Sequence, residues 1–128
     1  MNRYDPNQAP DPREWNALDE PEQILLAKQY HESERVDLPN AAVHAVFHVV
    51  VENQIAMGEE MTVSKTLDRL VADGLDRHEA VHAIGAILAG HMHSMMGEES
   101  SEFSEDAYAS DLDALTVEKW REMGQPEN

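Results

Sequence analysis

Apolar residues recur along this chain at spacings of three and four, and no segment shows the strict alternation of a strand. That period is helical. Residues 1–10 are polar and proline-punctuated, and are expected to form a flexible arm. Asp11-Pro12 then reads as an N-cap followed by proline at the first helical position, opening a short helix through Leu18. Asp19 and Glu22 make a capping box for a helix running to about Glu34, with Ile24, Leu25, Leu26 and Tyr30 as its apolar residues. Leu38-Pro39-Asn40 interrupts the chain and caps a helix over about 41–57. Thr62 is read as the cap of a short helix with Leu67, Leu70 and Val71 on one face, stopped by Gly74. Asp76 opens a long helix over about 77–96, which closes at Gly97. An acidic linker (98–105) leads to a tail (106–123) whose Tyr108, Leu112, Leu115 and Trp120 suggest one broken helix packing back.

These elements predict an all-α fold: a single-domain bundle (11–128) of five or six helices with its core in 40–96. The histidine-bearing helices 41–57 and 77–96 are its long central members. Val43, Val46, Phe47, Val49, Val50 and Ile55 cover most of the circumference of the first. A helix apolar nearly all round must be central or sit in an oligomer interface. Ala83, Gly85, Ala86 and Ala89 let a partner helix approach the second closely. The short flanking helices are too few to cover helix 41–57, so a homodimer, the commonest oligomer, is expected.

Charge narrows the partners. The 128 residues carry a formal net charge of −17, distributed as −5 over 1–40, −4 over 41–96 and −8 over 97–128. Such a surface repels phosphate backbones and anionic lipid, which disfavours nucleic acid and membrane as partners. No apolar run approaches the ~18 residues that span a bilayer, and the polar N-terminus shows no leader, so the expected location is cytoplasmic. Cysteine is absent, which excludes disulfides, thiolate metal sites and cysteine nucleophiles.

The candidate chemistry lies in the histidines. Six of the seven fall in the two long helices, four of them as i,i+4 pairs: His44 with His48, and His78 with His82. Residues four apart share a helix face. At 100° per residue, His44, His48 and Glu52 line one stripe, and His78, His82 and His93 line another, with His91 pointing away. If the stripes face each other, His44, His48, His78 and His82 converge on one metal ion, with Glu52 or Glu79 completing the shell. His and carboxylate donors suit zinc, iron, manganese or nickel.

Three readings compete. His78-Glu79-Ala80-Val81-His82 is an H-E-x-x-H, the signature of zinc hydrolases in which the glutamate is the general base. It follows the longer metzincin pattern to Gly85 and then fails, because Leu88 occupies the third ligand position. Glu79 also stands three residues after Asp76, where a capping box would employ it structurally. A di-metal carboxylate bundle would need a second E-x-x-H, which the chain lacks; its H-x-x-x-E and H-x-x-x-H only partly look like a hemerythrin-type bundle. The third reading is a non-catalytic interaction or scaffold protein whose histidines, His31, His91 and His93 among them, are structural. The residues lean against an enzyme and define no substrate.

Over residues 40–96 the chain resembles a bacterial domain-of-unknown-function family of small helical proteins. The resemblance rests on H-x-x-x-H followed after six residues by Gln, then H-E-A-x-H. Here these are His44, His48 and Gln54, then His78, Glu79, Ala80 and His82. Asn53 stands where an acid often precedes that Gln. The resemblance implies a helical fold and marks these residues, but implies no reaction.

Overall fold

The computed structural model describes residues 3–33, 41–58, 61–95 and 104–122. Among them every regular element is a helix: α1 (Pro12–Ala17), α2 (Glu20–Ser33), α3 (Ala41–Ala56), α4 (Thr62–Ala72), α5 (Arg77–Met95), α6 (Glu105–Ala114) and α7 (Val117–Glu122). There are seven rather than five or six because the tail breaks at Leu115 into two helices. The break at Leu38-Pro39-Asn40, the stop at Gly97 and the linker from 98 to 103 lie outside the described residues.

Local chemistry accounts for the helix ends. The Asp11 carboxylate accepts from the Arg13 N–H with Pro12 in the first turn. Asp19 and Glu22 bond reciprocally, Glu22 N–H to Asp19 Oδ1 at 3.1 Å and Asp19 N–H to Glu22 Oε1 at 3.5 Å. Thr62, expected as the cap of α4, is its first helical residue, and Met61 holds the cap position without a side-chain bond. At the other end of α4, Leu75 N–H reaches Leu70 O and Gly74 N–H reaches Val71 O. This is a Schellman motif, with Gly74 at φ 117° and the C″ residue Leu75 and C3 residue Leu70 both buried. Val71, expected on the buried face, is instead exposed.

Helix α3 packs against α1, α2, α4 and α5; α5 also packs against α4 and α6. Two apolar clusters result. The larger joins α4 and α5 to α6 and α7 through Leu67, Leu70, Ile84, Leu88, Leu112 and Trp120. Arg69 fastens the same region by donating to the carbonyls of Leu115 and Leu112 at 2.6 and 2.9 Å. The smaller joins Tyr4 and Trp15 to Ala27, Ala45 and Val49. Val43 and Val46 of α3 remain exposed.

The N-terminal segment, expected to be a flexible arm, makes contacts with the helices from Tyr4 to Asn7. Tyr4 is only 1% exposed, the Asn7 side chain accepts from the His78 N–H at 3.0 Å, and Pro6 O accepts from Arg77 at 2.9 Å. One buried aromatic and two polar ties hold the segment across the start of α5.

Candidate metal centre

Three helices deliver five imidazoles to one place. His31 comes from the end of α2, His44 and His48 from α3, and His78 and His82 from the first turns of α5. All of their ring centroids lie 4.3–6.4 Å apart, except for the His44–His78 pair. The rings of His31, His48 and His82 therefore form a triangle, with His44 and His78 on either side of it. His31, His48, His78 and His82 are buried, and each offers a ring nitrogen within 4.8 Å of the others. His44 stands beside this quartet, its ring 4.6 Å from both His31 and His82.

Hydrogen bonding fixes which nitrogens are bare. Ala27 O lies 2.8 Å from His31 Nδ1. A carbonyl only accepts, so Nδ1 carries the proton and Nε2 keeps its lone pair. Tyr4 gives its single proton to Glu52 Oε2 at 2.6 Å. His48 Nδ1, 3.0 Å from the same phenol oxygen, must then be the donor there, which leaves His48 Nε2 bare. That lone pair faces His82 Nε2 at 2.8 Å, so the proton in this contact sits on His82. The Nε2 atoms of His31, His44 and His78 are buried with no partner. A buried polar atom left unpaired costs about 1–3 kcal/mol, and three of them within one histidine cluster is a poor arrangement for a merely structural core.

Burial also keeps the rings neutral, as ligation requires. It drives His44 and His78 down to about 4, with the neighbouring His31 adding to the effect on both. It drives His82 to about 2, with His78, His44 and His31 adding. His48 falls well below its ordinary value, again through burial and then His82, and His31 is lowered by burial too.

Behind His48 lies a second layer. The Glu52 side chain is 1% exposed and forms a two-point ion pair with Arg77, Nη1 to Oε2 at 2.7 Å and Nη2 to Oε1 at 2.8 Å. Burial lowers the Arg77 pKa, but the bonds and charge of Glu52 outweigh it and hold the guanidinium protonated. Burial, then the Glu52 charge, pushes the Tyr4 phenol well above its usual value, so it remains a donor. The chain Arg77–Glu52–Tyr4–His48 thus orients one imidazole, the common arrangement behind metal-bound histidines.

Glu52, expected as a possible ligand, is committed to Arg77 and Tyr4. Glu79, the other candidate, is not among the groups that share the histidine cluster. Its N–H donates to Asp76 Oδ1 at 2.7 Å, which is half of the expected capping box; the reciprocal bond to its carboxylate is not made. Leu88, where a metzincin would have its third ligand, is a buried core residue. His93 is exposed, and His91 pairs with Asp111 at 2.6 Å, away from the cluster. Gln54, marked by the resemblance, accepts from Tyr108 at 2.8 Å and ties α3 to α6.

Sequence reasoning missed His31, Tyr4 and Arg77. His31 has no histidine on its own helix face, and Tyr4 lies in a segment without periodicity. Only the pairing of i,i+4 histidines gave a signal, and it marked two helices of the three.

An apolar cleft of about 150 Å³ reaches the cluster between α3 and α5, with Phe47, Val81, Ala86 and Ala89 on its walls and His44, His48 and His82 lining it. No described helix is long and apolar enough to cross a membrane. Compared with known protein families, characterised proteins and solved structures, the chain finds no match.

Proposed function

We propose that this protein binds one divalent transition-metal ion, with His31, His48, His78 and His82 as ligands and His44 as a further ligand at the mouth of the cleft. The supporting observation is that four buried histidines bring ring nitrogens within 4.8 Å of one another, while Nε2 of His31, of His78 and of the adjacent His44 has no partner. Metal–nitrogen bonds are about 2.0–2.1 Å, so ring nitrogens that now lie within 4.8 Å of one another would draw closer together around the ion. The donor set is all imidazole, which suits zinc, iron, nickel or copper and suits the oxygen-seeking manganese, calcium and magnesium poorly.

When bound, the ion would supply Lewis acidity in a shell of neutral ligands, since the Glu52 charge is already matched by Arg77. Tyr4 fixes the His48 tautomer, and Ala27 O fixes that of His31. The cleft beside His44 would admit a small molecule to the ion. The H-E-x-x-H hydrolase reading gains no support, because Glu79 stands outside the cluster.

Metal analysis of protein purified without a histidine tag tests this reading. One equivalent of zinc, iron, nickel or copper is expected, lost in His82→Ala and also in His31→Ala. The second variant is decisive, because helix periodicity alone gives His31 no role. A metal-free protein that takes up no ion from any of these salts would overturn the proposal.

A further inference from the structure

A second pocket is lined by Glu52 and Arg77. It has a volume of about 700 Å³, set between the N-terminal segment, the last turns of α3, and α4. Pockets of this size with mostly apolar walls and a few polar groups are where proteins hold small organic molecules. Its apolar walls come from Trp15, Ile55, Ala56, Leu67, Val71 and Ala72.

Its polar groups decide what fits. Ser64 Oγ is spent on the carbonyls of Ile55 and Gly58. Glu52 is spent on Arg77 and Tyr4. Arg77 is not fully spent. Its side chain is 10% exposed, and its five N–H groups make three bonds: Nη1 to Pro6 O and Glu52 Oε2, and Nη2 to Glu52 Oε1. The end of the guanidinium is therefore occupied, with the Tyr4 phenol also acting on it, and the donors outside these three bonds are the side edge, Nε–H with the second Nη2–H. Those two parallel donors match the two oxygens of a carboxylate. The amide nitrogen of Asn7, another lining residue, is a further donor, while Asp68 on α4 is the lining acceptor not already engaged.

We infer that this pocket binds an organic monocarboxylate, its apolar body against Trp15, Ile55 and Leu67 and its head group on the free edge of Arg77. The site is separate from the metal centre and does not rest on it. Glu52 and Arg77 are shared with the layer behind His48, so the test reads metal content independently.

The experiment titrates the full-length, isotope-labelled protein with octanoate, octanamide and octylamine, following the Arg77 Nε–H and Trp15 indole N–H resonances. Octanoate is expected to shift both saturably, with the amide and the amine weaker by about tenfold or more, as a site built for a paired acceptor rejects a ligand lacking it. Ala56→Phe, which fills the pocket without touching the ion pair, should abolish the shifts while metal content stays unchanged. No shift with octanoate at millimolar concentration, or equal or tighter binding of the amide or the amine, would overturn the inference, as would undiminished octanoate binding in folded Ala56→Phe. The comparison of the three ligands on the unaltered protein stands even if that variant fails to fold.

Discussion

The two halves of this molecule are built on opposite principles. Around α4, α6 and α7 the interior is apolar and its polar groups are few: Arg69 caps the end of α6, the Tyr108 hydroxyl meets Gln54, and the Trp120 indole N–H is buried without a partner. Where α2, α3 and α5 meet, the interior holds five imidazoles, a carboxylate, a phenol and a guanidinium. The first region is held together chiefly by apolar burial. The second contains unpaired nitrogens that a bound ion would satisfy. The contrast teaches that stability and chemistry occupy different seams of one small bundle, with α5 contributing to both: Ile84 and Leu88 to one, His78 and His82 to the other.

The sharpest way to break this contrast is to damage each half separately. Leu70 is fully buried in the apolar half, so Leu70→Ala should cost about 2–5 kcal/mol by denaturant unfolding. That cost should be the same with and without a chelator. A cost that changes with metal would mean the halves are not independent.

Acid should act on the other half. The folded histidines hold protons less tightly than an unfolded chain, whose imidazoles titrate near 6.5. Below that pH the unfolded state takes up protons that the folded state refuses, so stability falls as pH drops. For His44 and His78 the loss runs from about pH 6.5 down to about 4, where the folded rings protonate too. Each such histidine contributes at most about 1.4 kcal/mol per pH unit in that window. Metal-free protein unfolded at a series of pH values should show this slope, and His44→Ala should reduce it. A flat profile between pH 4 and 6.5 would contradict the buried, neutral cluster.

A smaller effect should follow from Tyr4→Phe, which removes the hydroxyl linking His48 to Glu52. Loss of such an orienting partner typically weakens metal binding by about 10–100-fold. Titration of the metal-free protein checks this, and unchanged affinity would make Tyr4 a packing residue only.

Smallest is the helix cap. Asp76→Ala should cost about 0.5–2 kcal/mol, the usual loss for an N-cap, because its carboxylate accepts from the Glu79 N–H. Glu79→Gln should be close to neutral for stability and for metal content, since the Glu79 carboxylate makes no capping bond. Loss of bound metal in Glu79→Gln would return the glutamate to the centre.

Much of the fold was legible because helix signals are local. Asp11-Pro12, the Asp19–Glu22 box, the Gly74 stop and the Asp76 cap each act within a few residues, and each appears in the structure. The i,i+4 spacing likewise placed His44 with His48 and His78 with His82 on common faces. Val71 was misplaced because periodicity ranks a face as apolar without knowing how far the neighbouring helices extend over it.

The sequence by itself determined the helices, most of their ends and one pair of imidazoles on a face of each of two helices, because these depend on backbone geometry repeating every 3.6 residues. Tertiary structure decided everything that needs two distant segments. It brought His31 from α2 into the cluster, seated Tyr4 over His48, and matched Glu52 with Arg77. Those choices follow from how three helices cross and which buried charge finds a partner, and no local pattern records either.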